Sequence, residues 1–207
     1  MSSIMNNSPA AMARPAATQS PENTRKRLLD AVGEAIAVAG ATTFTLDAIA
    51  RRAGVSKGAL LHHFPCKNVL VEEFGRCMRE DFWNGVHAHC LDDELAYGRM
   101  TRAYCNSILG VLQNPAQSRR WSGLMTAFVM NPSLMHMWRD GTNIHQRALE
   151  AETAENTSLM IARMAADSYW SNQLFGLQSV NSDDRKGLIN HMIELTYPVP
   201  ERDSAAA

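Results

Sequence analysis

The sequence predicts an all-α protein in two parts, a three-helix helix-turn-helix domain at the N-terminus and a larger helical domain behind it. Three observations carry this. Apolar residues recur at the helical period over most of the chain, alternating β-type runs with turn dipeptides are absent, and the breaks fall at isolated Gly, Asn-Pro or Asn-Ser points. At 207 residues, 45% hydrophobic and 20% charged, the chain can bury a core without disulfides or metal.

The start, Met1 to Pro21, is rich in Ala, Ser, Asn and Pro and has no continuous apolar stretch, so residues 1–21 are expected to form a flexible arm rather than a signal peptide. Leu28, Leu29, Val32, Ala35, Ile36 and Ala39 then form one helical stripe, stopped by Gly40. Thr45 is the expected N-cap of a second helix with buried stripe Leu46, Ile49, Ala50 and Ala53, and Gly54 ends it. Val55 plugs the core and Ser56 caps a third helix of about two turns, which Pro65 stops. A longer helix is expected from Lys67 to about Cys90, with Leu70, Phe74, Cys77, Met78 and Phe82 on one face. About five more helices follow, with breaks near Leu91 to Asp93, Asn114-Pro115, Asn131-Pro132, Asn156 and Asn181-Ser182. The expected organisation is 22–67 for the helix-turn-helix, 68–198 for the larger domain and 199–207 for a flexible tail.

Charge divides along the same line. Residues 1 to 67 carry 8 Lys/Arg against 4 Asp/Glu, whereas residues 68 to 200 carry 11 against 15. A basic end beside an acidic remainder suits a molecule in which one end meets a polyanion. Between Asp47 and Lys67 stand Arg51, Arg52, Lys57 and Lys67 with no acidic residue, a field able to neutralise phosphates. Small Ala50 and Ala53 let the second and third helices approach, and Gly54 permits the sharp turn between them.

The stretch Thr45 to Lys67 reads T-x-x-x-I-A-x-x-A-G-V-S-K-G-x-L-x-x-H-F-x-x-K and closely resembles the N-terminal domain of the TetR family of bacterial regulators, specifically over about Thr24 to Phe74. That resemblance implies that Thr45 and Lys67 contact phosphates, that Ser56, Lys57, Ala59, His62 and His63 lie at or near double-stranded operator DNA, and that Phe64 buttresses the reading helix. Many members have Tyr where Leu61 or His63 stands and a small polar cap where Cys66 stands, so the base preference does not carry over. Gly58 to Pro65 and Trp170 to Leu177 are similar to a subgroup that includes repressors of drug and biocide efflux. The resemblance further implies a homodimer built on a two-fold four-helix interface of the last two helices, about Ser158 to Val180 and Ser182 to Tyr197, with Leu174, Leu177, Leu188, Met192 and Leu195 as candidates.

All four tryptophans and nine of the twelve methionines lie in the larger domain, where such side chains make adaptable cavities for flat, apolar or cationic ligands. Phe82, Trp83, Phe128, Trp138 and Trp170 are the aromatic candidates for an effector site, and Asp167 and Glu152 its candidate carboxylates. The expected effector is apolar or amphipathic and cationic, acting through the helix that starts at Lys67. A metabolite sensor for a metabolic operon and a ligand-independent DNA-binding protein are the competing readings.

No nucleophile with its base, paired carboxylates or glycine-rich phosphate loop is discernible, so no enzymatic activity and no cofactor are expected. His87, His89 and Cys90 form one small cluster and His62, His63 and Cys66 another, but neither has the further ligands a metal site needs, and none is expected. Cys66, Cys77, Cys90 and Cys105 are widely spaced and read as reduced thiols of a cytoplasmic protein. No apolar run reaches the length of a membrane span.

Overall fold

A computed structural model of the chain describes residues 20–39, 44–132, 135, 144–177 and 181–199. Trp138, most of the expected arm and nearly all of the expected tail lie outside these residues. Among the described residues there are nine helices and no strand: α1 (Pro21–Ala39), α2 (Leu46–Ala53), α3 (Lys57–His63), α4 (Lys67–Leu91), α5 (Arg99–Gln113), α6 (Pro115–Met130), α7 (Ile144–Ala154), α8 (Thr157–Leu174) and α9 (Ser182–Glu194). None is long and apolar enough to cross a membrane.

The first three helices form where the local signals put them. Thr45 Oγ1 accepts the Ala48 N–H at 3.2 Å and Ser56 Oγ accepts the Ala59 N–H at 3.1 Å, so each satisfies an otherwise orphaned donor of the helix it caps. Gly54 closes α2 at φ 64°, a left-handed conformation that costs glycine little. Arg27, next to Leu28 in α1, hydrogen-bonds the Ala53 carbonyl and reaches the Gly54 carbonyl at 3.2 Å, fastening the turn to α1. Leu28, Val32, Ile36, Ile49 and Leu60 are fully buried where these helices meet.

Two crossings join this head to the rest. The helix α4 runs from the head into the larger domain, burying Leu70, Phe74, Met78, Phe82 and Val86 along one face. The second crossing is tighter: α6 lies on α1 so closely that a Cβ on Gly123 would stand 2.4 Å from the Gly33 carbonyl oxygen, and Arg120 pairs with Asp30 at 2.5 Å. The two glycines permit a backbone-to-backbone approach that side chains forbid.

The larger domain closes around Phe82. Its ring meets Trp83, Tyr104 and Trp121 edge-on at 5.5 to 5.8 Å and stacks on Trp170 at 5.6 Å with only 9° between planes. Trp121 is 1% exposed and belongs to this cluster as core. At the far end Arg102, 4% exposed, pairs with Asp93 and donates to the Thr196 carbonyl at 2.7 Å, tying the end of α9 to the start of α5. The last two helices are shorter than expected: α8 stops at Leu174, because Gly176 turns the chain at φ 69°, and α9 stops at Glu194.

Candidate nucleic-acid interface and ligand cavity

The segment from Phe44 to Lys67 brings the starts of three helices together. Lys57 Nζ lies 3.1 Å from Asp47 Oδ2, joining the first turns of α3 and α2. Lys67 Nζ donates to the Phe44 carbonyl at 3.2 Å and sits 3.7 Å above the Phe44 ring, joining α4 to the lead-in of α2. Burial lowers the Lys67 pKa from its ordinary range. Thr45, Ser56, Lys57 and His62 are exposed, while Ala59, His63 and Lys67 are half-buried. Each capping hydroxyl accepts from its own helix and keeps an O–H to donate outward.

The basic field is partly self-compensated. Arg52 pairs with Glu34 at 2.8 Å and Lys57 with Asp47, both on the surface, where such pairs are worth about 0–1 kcal/mol and exchange readily for a phosphate. Phe64, 2% exposed, packs under the end of α3, with Arg25 5.8 Å from its ring centre. The imidazoles of His62 and His63 meet edge-on at 5.6 Å. Cys66 stands at the N-cap of α4 without a side-chain bond to the helix.

In the larger domain a cavity of about 790 Å³ opens beside the aromatic cluster. Phe82, Trp83, Phe128, Trp170 and Asp167 line it, so five of the seven expected residues converge there. Tyr104, Met125, Leu149, Arg163 and Leu174 complete much of the wall, none of them expected as ligand residues. The spacing Arg163, Asp167, Trp170, Leu174 is that of one face of α8, and it is the signal that could have found Arg163 from Asp167.

Two expectations are corrected here. Glu152 does not face the cavity: its carboxylate accepts the Met100 N–H at 3.1 Å, the Thr101 N–H at 2.7 Å and the Thr101 hydroxyl at 2.5 Å, capping α5 from α7 because Gly98 has no side chain to do so. Leu174 and Met192, read as interface residues, are 7% and 2% exposed within the single chain and are spent on its own core. Leu177 and Leu188 are exposed and border a groove between α8 and α9, and Leu195 is half-buried against the core. Arg163 shares the cavity wall with Asp167.

Asp167 Oδ1 accepts the Tyr104 hydroxyl at 2.5 Å. Burial pushes the Asp167 carboxyl above its ordinary value, against the opposing pull of the Tyr104 hydrogen bond and the Arg163 charge. Burial and the Asp167 charge push the Tyr104 hydroxyl well above its own, and burial raises the neighbouring Cys105 thiol to about 12. Of the His87, His89 and Cys90 cluster, His87 instead faces His145 of α7 at 4.9 Å between ring centres, and Cys90 faces Met100 at 3.8 Å between sulfurs. Among the described residues no three His, Cys, Asp or Glu side chains converge.

Comparison with known proteins agrees with both halves of this geometry. Residues 28–74 match the family of bacterial regulatory proteins, tetR family, and residues 98–197 match the tetracyclin repressor-like C-terminal domain. The HTH-type transcriptional regulator BetI of Klebsiella pneumoniae (strain 342) is 25% identical over 186 residues, covering 85% of this chain and 95% of BetI. A crystal structure of a transcriptional regulator from Rhodococcus sp. Rha1 superposes with a TM-score of 0.63 at 21% identity, covering 86% of this chain and 95% of that one. The multidrug binding protein EbrR, crystallised with malachite green, superposes with a TM-score of 0.59 at 23% identity, covering 84% and 98%. A capped helix-turn-helix with the T-x-x-x-I-A-x-x-A-G-V-S-K-G pattern, joined to a C-terminal domain of the matching type, makes this chain a member of the TetR family of bacterial transcription regulators.

Proposed function

We propose that the protein is a homodimeric, ligand-responsive repressor that occludes a promoter when empty and leaves it when a small aromatic effector enters the cavity. The observation that carries this reading is the cavity of about 790 Å³ walled by Phe82, Trp83, Phe128 and Trp170, within the range usual for small-molecule sites. Its position behind α4 and α6, the two helices that run to the DNA-binding head, supports coupling between the sites.

At the DNA, Thr45, Ser56, Lys57 and Lys67 serve phosphates, and Ala59, His62 and His63 stand at the reading end. Two reading helices about 34–36 Å apart would meet a roughly palindromic operator. Leu177 and Leu188 are the exposed apolar residues on which the partner packs, with Leu195 at its edge. Action on DNA places the protein in the cytoplasm, without catalysis of its own.

The effector is flat and apolar, and the controlled gene is that of an efflux pump. EbrR, a multidrug binding protein of the same fold, was crystallised with malachite green, which supports a drug-type effector over a regulator of a metabolic operon. A cationic effector is a second reading, favoured by Asp167 beside the aromatic wall. The test is to select bound fragments from the source genome with the purified protein and titrate the complex with flat aromatic compounds while following Trp fluorescence. Specific fragments released by a compound that quenches Trp support the proposal. Fragments that no compound releases would leave a ligand-independent DNA-binding protein, and no specific fragment would remove the regulator reading altogether.

A further inference from the structure

Polar groups on the cavity wall are unevenly matched. Asp167 already accepts from Tyr104, and Ser171 donates to the Asp167 carbonyl. The donors fare worse. Arg163, with five N–H bonds, makes one long hydrogen bond, to Thr153 Oγ1 at 3.4 Å, and among the described residues no carboxylate lies within ion-pair distance of it. Trp170, 8% exposed, keeps its indole N–H buried without an acceptor among the described residues. A surplus of donors on one helix face suits a ligand that brings an acceptor.

Charge decides what kind of acceptor. Arg163 and Asp167 are four residues apart on α8, one helical turn, so their opposite fields largely cancel along the wall. A ligand carrying a full charge of either sign would lose its hydration and meet attraction and repulsion together. An uncharged acceptor escapes that cost and still gains a charge-assisted hydrogen bond from the guanidinium. We infer that the effector is a flat, uncharged aromatic compound whose carbonyl oxygen accepts from Arg163, an inference that rests on reading this cavity as the effector site. The ring system then lies along Phe82 and Trp170, which are parallel to within 9°, and its apolar end points to Leu174. Arg163 on the same wall weighs against the cationic second reading.

Three tricyclic probes of similar size separate the possibilities: acridone, uncharged with a ring carbonyl; proflavine, a cation; and anthracene-9-carboxylate, an anion. Each is titrated into the full chain at pH 7 by calorimetry, with Trp fluorescence as a second readout. Acridone is expected to bind at least tenfold tighter than either charged probe. Arg163→Met should weaken acridone about tenfold, the size of one charge-assisted hydrogen bond. With Asp167 then uncompensated, proflavine should tighten in the same variant. Arg163→Gln, which keeps a donor without the charge, should retain more acridone binding than Arg163→Met, and circular dichroism melts confirm that the variants fold. Preference for either charged probe, or acridone binding indifferent to both substitutions, overturns the assignment to Arg163 while leaving the cavity reading intact. Failure of all three probes to bind overturns the cavity reading, and the inference with it.

Discussion

Gly123→Ala tests the tight crossing of α6 over α1. The added Cβ would lie 2.4 Å from Gly33 O, 3.1 Å from Gly33 C and 3.2 Å from Gly33 Cα. All three are backbone atoms, so no side chain can swing aside. Reaching ordinary contact at 3.4 Å requires the helices to part by about 1 Å. Such overpacking costs about 1–3 kcal/mol, and the better helix propensity of Ala returns about 1 kcal/mol, so a net loss of roughly 1 kcal/mol is expected. For a chain of this size that lowers Tm by about 2–4 °C. Gly110 in α5 is the control, because nothing lies within 4 Å of its built Cβ. Gly110→Ala should raise Tm by a similar amount. Since α1 also packs on α2 and α3, parting it from α6 should in addition weaken the effect of effector on operator affinity. Paired thermal melts and operator titrations with and without effector measure both. Gly123→Ala melting as high as Gly110→Ala, with coupling unchanged, would refute the account of this crossing.

Four further outcomes are expected. Asp47→Asn frees Lys57 from its surface pair and should tighten binding to operator and non-operator DNA alike, whereas Lys57→Ala should reduce the slope of log K against log salt by about 0.9. Replacing Arg102 by Met leaves Asp93 and the carbonyls of Thr196, Leu95 and Tyr97 without their donor, and should cost about 3–5 kcal/mol in a denaturant melt. Asp167 has its carboxyl raised in the folded protein, so the native state holds that proton more tightly than the unfolded chain and stability falls as pH rises from about 3.8 through the raised value. Asp167→Asn should therefore gain in Tm over the parent protein at pH 7, and the gain should shrink as pH falls toward 4. Leu188→Glu places a charge on the exposed apolar surface of α9 and should shift the dimer toward monomer in sedimentation without a large change in the melt of the single chain.

What the sequence discloses is what neighbouring residues decide. The caps Thr45 and Ser56, the stop at Gly54 and the length of α3 all follow from side chains within four positions, and each stands in the structure as its local chemistry requires. Tertiary choices were harder to read. Glu152 looks like a pocket carboxylate until α5 is seen to start at a glycine that cannot cap it. Leu174 and Met192 share the apolar pattern of Leu177 and Leu188, and only the packed fold separates the buried pair from the exposed one. Arg102 carries no local signal as a buried cation, and Arg163 only its spacing from Asp167 on one face of α8. Their roles depend on the carbonyl of Thr196, 94 residues away from Arg102, and on the aromatic wall supplied by α4, α5 and α6. The Gly33 and Gly123 contact is likewise invisible until two helices distant in sequence are laid across each other.

The claim that one chain links a DNA-reading head to an effector cavity is tested most directly by closing a thermodynamic cycle. Effector affinity is measured for the free protein and for the operator complex, and operator affinity with and without saturating effector. A coupling of about 1–3 kcal/mol predicts that bound operator weakens the effector by about 5- to 150-fold, and that the effector weakens the operator by the same factor. Equal effector affinity for free and DNA-bound protein would contradict the account.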